Sequence, residues 1–168
     1  MKTQLPRPTV DSPAQEVYLH LWRSYDRLRA IEDDLFGQYE LSAQQYNALR
    51  LLSVVAPAGM QTMEIARQSI SRMPDMTRLL DRLQKRGLIS RARMAENRRV
   101  VEVFITDAGQ QLLSKMSTAV LEMHQRQLGH LSPNQQKQLV KLLKLARKPH
   151  EDTTCDWLDT NGSAANAQ

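Results

Sequence analysis

"RARMAENRRVVEVFIT", residues 91–106, sets four arginines, Arg91, Arg93, Arg98 and Arg99, around a short polar turn and follows them at once with strand-forming residues. The run "RRVVEVFI" (98–105) is rich in β-branched side chains, which fit a pleated, half-buried surface. "LISRAR" (88–93), ahead of the turn "MAEN" (94–97), supplies an opposing arm, so the stretch is expected to be a β-hairpin. A hairpin tipped with arginine points to a polyanionic partner.

On the N-terminal side, "MQTMEIARQSISRMPDMTRLLDRLQKRGLI" (60–89) reads as two short helices with a turn between them. Thr62 is placed as the cap of the first, with Ile65, Ala66 and Ile70 facing inward. Pro74 suits the first turn of the second, where its missing amide hydrogen has no helical partner anyway. Met76, Leu79, Leu80 and Leu83 then form a buried stripe, which leaves Asp75, Thr77, Arg78, Asp81 and Arg82 toward solvent or a ligand. Gly87 is the expected C-terminal stop.

Further out the pattern is helical on both sides. Tyr18, Leu21, Trp22, Tyr25, Leu28, Ile31, Leu35 and Phe36 recur at three and four over residues 14–36, with Gly37 as the stop. "LSAQQYNALRLLSVV" (41–55) opens with Ser42 and Gln45 in capping-box spacing and with Leu41 and Tyr46 placed as a hydrophobic staple. After the hairpin, Thr106 caps a long helix carrying Leu112, Leu113, Met116, Val120 and Met123. Ser132, Pro133 and Gln135 start a last helix through Leu145, which Pro149 ends.

Charge is concentrated on the same part of the chain. Between Arg67 and Arg99 ten cationic side chains face three carboxylates, a surplus of seven in a protein whose net charge is +5. Two short helices with a basic, polar outward face, followed directly by an arginine-tipped hairpin, make a winged helix-turn-helix. The second helix of such a unit enters the major groove, where base edges present distinguishable donors and acceptors. The hairpin can lie along the backbone or enter the negative minor groove. The expected fold class is mainly α (α+β), a winged helix-turn-helix with flanking helices.

The segments "LSAQQYNALRLL" (41–52), "MTRLLDRLQKRGLISR" (76–91) and "NRRVVEVFITDAGQQLL" (97–113) together resemble the multiple-antibiotic-resistance regulator (MarR) family of bacterial transcription factors. The resemblance rests on a leucine-rich helix with "DRL", a glycine stop, an arginine-bearing wing and a "T-x-x-G" entry to the next helix, about 70 residues in all. It implies a homodimer whose first and last helices interlock and which binds double-stranded DNA at a palindromic operator. It implies repression relieved by a small aromatic or phenolic effector held near the junction of the dimer and DNA-binding parts. Carried over residue by residue, it places Thr77 and Arg78 at base edges. Ser71, Arg72, Pro74 and Asp75 fall at or before the N-terminal end of that helix, and Arg98 and Arg99 on the wing. One position departs from the pattern: the family commonly has an aspartate immediately before the wing arginine, and here it is Asn97, with Glu96 beside it.

The resulting division is an N-terminal arm (1–13), a single domain (14–149) and a flexible acidic tail (150–168). Within the domain, the DNA-binding winged helix spans about 41–106 and the dimerisation helices about 14–36 and 106–148. Tyr18, Trp22 and Tyr25 suit either a dimer interface or one wall of an effector pocket, and His20 between them can hydrogen-bond an anion. His20, Trp22 and Tyr25 are therefore the candidate effector residues. Arg82, Lys85 and Arg86 serve equally as helix-end cations or phosphate contacts, and Asp81 is placed to pair with Lys85 across one turn.

Other functions find little support in the sequence. His20, His124, His130 and His150 show no metal-ligand spacing, and there is no phosphate-binding glycine loop and no nucleophile elbow, so neither catalysis nor a cofactor is expected. The single cysteine, Cys155, sits in the polar tail and allows no intrachain disulfide. No apolar run approaches the ~20 residues that cross a bilayer, and "MKTQLPRPTV" lacks the apolar stretch of a secretory signal. A cytoplasmic protein, on the nucleoid when DNA-bound, is expected. The competing reading is a nonspecific architectural or protein-interaction winged helix.

Overall fold

The computed structural model describes residues 9–70, 75–93 and 100–151. In chain order these form α1 (Pro13–Gln38), α2 (Ala43–Val55), β1 (Met60–Gln61), α3 (Thr62–Gln68), α4 (Met76–Lys85), β2 (Ile89–Arg93), β3 (Val101–Ile105), α5 (Asp107–Leu128) and α6 (Pro133–Arg147), followed by a short 3₁₀ turn, Lys148–His150. The strands make one antiparallel sheet in the order β1-β3-β2. The hairpin pairs Ile89 with Ile105 and Arg93 with Val101. β1, which the sequence reading lacked, pairs Met60 with Val103 and Gln61 with Glu102.

Local chemistry sets the helix ends. The Ser42–Gln45 capping box is closed in both directions, Gln45 N donating to Ser42 Oγ at 3.2 Å and Ser42 N to Gln45 Oε1 at 2.9 Å. Leu41 is buried, and the Tyr46 ring stacks on Phe36 at 4.8 Å between centroids. Ser132 and Gln135 close a second box at the start of α6. At the end of α4, Gly87 takes φ +70°, and the amides of Gly87 and Leu88 return to the carbonyls of Gln84 and Leu83 at 2.8 and 3.0 Å. That double return is a Schellman motif, and its left-handed residue is the reason for glycine there.

Three expected boundaries shift. Gly37 lies inside α1, and the left-handed residue is Glu40, with φ 54°. An interior glycine costs only about 1 kcal/mol, and here Arg86 holds the helix end by donating to the carbonyls of Tyr39 and Glu40 at 3.1 and 2.5 Å. Thr62 is the first residue of α3 and not its cap, because pairing with Glu102 keeps Gln61 extended in the cap position. Ile70 is 62% exposed. α3 stops at Gln68 and Ser69 turns extended, so the helical period that would have carried Ile70 inward has ended.

The core lies where α2, α3, α4, α5 and the sheet meet. Leu49, Leu52, Ile65, Leu80, Leu83, Val103, Met116 and Met123 are fully buried in it. The stripe expected on α4 holds, with Met76, Leu80 and Leu83 buried and Leu79 half-buried. α6 buries none of its residues in the protomer. Val140, Leu142 and Leu145 stay exposed on it, as do Val17, Tyr18 and Trp22 on α1. Among the described residues no helix is long and apolar enough to cross a membrane.

Candidate nucleic-acid interface

α4 is held from both ends of its outward face. At its start Asp75 is the N-cap: Oδ1 accepts the Arg78 amide at 3.0 Å, and Oδ2 lies 3.0 Å from Arg78 Nε. Asp75 thus orders the first turn and steers the arginine. The Arg78 side chain remains 81% exposed, and Thr77 is exposed beside it. A hydroxyl and a planar five-donor guanidinium at one helix end can read acceptors on base edges. Pro74, expected in the first turn, precedes the cap and lies outside the described residues, as do Ser71, Arg72, Arg98 and Arg99.

Among the described residues, Arg91 ties the hairpin to α4 through its side chain. Arg91, on β2, places Nη1 2.7 Å from Asp81 Oδ1 and donates from Nη2 to the Thr77 carbonyl at 3.4 Å. Its side chain is only 22% exposed, and Nε is buried without a hydrogen-bond partner. Asp81 therefore pairs with Arg91, not with Lys85 one turn along: the guanidinium on the neighbouring strand reaches it with a second anchor on Thr77. Arg91 is also not one of the arginines that reach outward, whereas Arg93, two residues on, is exposed. Arg86 is structural as well, through its bonds to Tyr39 and Glu40. Arg82 and Lys85 are exposed on the same helix.

α5 is docked at the base of the hairpin by the "T-x-x-G" motif. Thr106 Oγ1 donates to the Gly87 carbonyl at 2.6 Å and accepts the Gly109 amide at 3.2 Å, and Thr106 N donates to the Leu88 carbonyl at 3.1 Å. A Cβ on Gly109 would stand 2.4 Å from the Leu88 carbonyl oxygen, so only glycine permits this approach.

The three candidate effector residues separate. His20 and Trp22 line an open depression of about 560 Å³ with Val10, Leu19, Arg23 and Asp26. Tyr25 lines a different, more enclosed cavity of about 220 Å³ between α1, α2, α5 and the end of α3, with Glu32, Tyr46, Arg50, Ile70 and His124 among its walls. Burial holds the Tyr46 phenol above its ordinary range, with Arg50 pulling the other way. The sequence reading missed Tyr46 and Arg50 as cavity residues. Their signal was a spacing of four on α2, which puts phenol and guanidinium on one helix face. Among the described residues no group of histidine, cysteine and carboxylate side chains could hold a metal.

A helix presenting Thr77 and Arg78, braced against an antiparallel wing within a mostly helical chain, defines a winged-helix DNA-binding protein. The MarR family model matches residues 41–101. A MarR transcription factor from Planctomyces limnophilus shares 54% identity over 82% of this chain and 99% of its own, with a TM-score of 0.65. The chain belongs to the MarR family of transcription regulators, and is not an enzyme. On the same fold are Sco3205 from Streptomyces coelicolor, solved in complex with DNA (21% identity, 90% of this chain and 96% of its own, TM-score 0.71), and BpsR from Bordetella bronchiseptica, whose DNA binding is regulated by 6-hydroxynicotinic acid (24%, 78% and 98%, 0.70).

Proposed function

We propose that this regulator acts as a homodimer that occupies a palindromic promoter site and represses by occlusion until a small aromatic or phenolic effector binds. The observation that carries this reading is the exposed start of α4, where Thr77 and an Asp75-steered Arg78 stand out from a helix braced on the wing. Ser71, Arg72 and Pro74 before this helix, and Arg98 and Arg99 on the wing, complete the proposed DNA contacts by family resemblance. Support for a dimer comes from the uncovered apolar side chains of α1 and α6, at opposite ends of the chain. The division into an arm, one domain of about 14–149 and an acidic tail is kept with this proposal, as is action in the cytoplasm.

The smaller cavity is the proposed effector site. At about 220 Å³ it is below the ~300 Å³ at which drug-sized pockets begin, a size for one aromatic ring. BpsR gives a precedent on the same fold for control by such a molecule. Of the three candidates named from sequence, Tyr25 stays in this proposal, and His20 and Trp22 are assigned to the α1 surface.

Footprinting of the purified protein on the DNA upstream of its own gene tests the reading. A discrete protected palindrome with half-sites about one helical turn apart is expected. Shifts that protect no discrete site would favour the nonspecific architectural alternative.

A further inference from the structure

The effector cavity contains a histidine whose tautomer is fixed from outside the cavity. Gln127, buried on α5, donates from Nε2 to the Leu28 carbonyl of α1 at 2.9 Å, and its Oε1 lies 2.9 Å from His124 Nδ1. A backbone carbonyl only accepts, so the amide is oriented with its nitrogen toward Leu28 and its oxygen toward His124. An amide oxygen also only accepts, so Nδ1 must carry a hydrogen. Neutral His124 is thereby the Nδ1–H tautomer, and Nε2 is its basic nitrogen. Protonation places a hydrogen on the Nε2 lone pair and leaves the bond to Gln127 intact.

The charges around the cavity give that nitrogen a use. α1 contributes the Glu32 carboxylate and the Tyr25 phenol, α2 contributes the Arg50 guanidinium and the Tyr46 phenol, and the remaining polar walls, Gln44, Asn47 and Ser69, are uncharged. Glu32 and Arg50 cancel. An entering monoanion therefore finds no net counter-charge unless His124 accepts a proton.

We propose that His124 determines the charge specificity of this cavity: a single-ring aromatic carboxylate binds together with one solvent proton, taken up at His124 Nε2, while Gln127 holds the tautomer that leaves Nε2 basic. This rests on the effector reading above. The probe is benzoate, titrated calorimetrically into the full-length protein in two buffers of different ionisation enthalpy, at about pH 7 and about pH 8. The expected result is uptake of about one proton per bound benzoate and an affinity that falls up to ~10-fold per pH unit. In His124→Gln binding at about pH 7 is weaker, takes up no proton and loses this pH dependence. Binding without uptake in the unsubstituted protein, or uptake unchanged in His124→Gln, overturns the inference and leaves the cavity as an effector site. No binding of benzoate at either pH overturns the cavity reading and the inference with it. Long-range proton–nitrogen NMR of the unliganded, unsubstituted protein is a second measurement, independent of any variant's folding. An Nδ1–H pattern for neutral His124 is expected, and an Nε2–H pattern overturns the proposal.

Discussion

At Asp75 one side chain does two separable jobs, capping α4 and holding the guanidinium of Arg78. Asp75→Ala removes both and is expected to cost about 1 kcal/mol of stability, the ordinary loss for an N-cap. Asp75→Asn keeps a capping oxygen but loses the charge on Arg78, so chemical denaturation should find it within a few tenths of a kcal/mol of the unsubstituted protein. Arg78→Ala has the opposite profile. It leaves the cap in place and is expected to reduce discrimination between cognate and random DNA by ~1–3 kcal/mol, the range of a base-reading arginine. Competition binding measures that difference, and unchanged discrimination would remove Arg78 from the base edges. Gly109 supplies a third case, in which the motif residue is structural. Gly109→Ala pushes a methyl against the Leu88 carbonyl and the Ile105 side chain, and is expected to destabilise by ~1–3 kcal/mol, as overpacked sites do.

The bond between Arg91 and Asp81 determines how α4 and the hairpin act as one unit. Because Arg91 is turned inward onto Asp81 and Thr77, it is not expected to neutralise a phosphate. Arg91→Ala and Asp81→Asn should both weaken binding to cognate DNA by loosening the angle between helix and wing, while the slope of log affinity against log salt stays the same. Arg98→Ala and Arg99→Ala, proposed as phosphate contacts, should each reduce that slope by about one. A smaller slope in Arg91→Ala would place Arg91 on the DNA after all. This is also where the sequence was only partly legible. Its period of 3.6 over Met76–Leu83 and its β-branched run over 100–105 located the helix and strand that build the unit, because those patterns follow from burying one face. That Arg91 turns inward depends on strand register and on a carboxylate ten residues earlier in the chain, and neither leaves a local pattern. β1 was missed for the same reason: two residues are too short for an alternation, and they are extended only because β3 offers them a partner. The cavity was least legible, since its walls come from α1, α2, α5 and the end of α3 and no two neighbouring residues announce it.

Among the described residues, the exposed large apolar side chains lie mainly on the first and last helices. α6 has a capping box, a proline at its first position and leucines at helical spacing, yet none of its residues is fully buried in the protomer. A 15-residue helix in isolation is marginal in water, so its apolar side chains call for cover, and under the dimer proposal α1 and α6 of a second copy provide it. Leu142→Glu tests this without disturbing the core, because Leu142 is exposed in the protomer. Circular dichroism should show helical content close to that of the unsubstituted protein, while sedimentation should shift from dimer to monomer. Each monomer would still carry Thr77, Arg78 and the wing, but could engage only one half-site at a time. Losing the second, linked contact should weaken operator binding by ~100-fold or more, within the usual gain from bivalency. The affinity for one isolated half-site should change far less. A variant that stays dimeric and binds the full operator normally would move the interface away from α6. Loss of half-site and full-site binding to the same extent would mean that α6 supports the fold of the reading head and not the pairing of two copies.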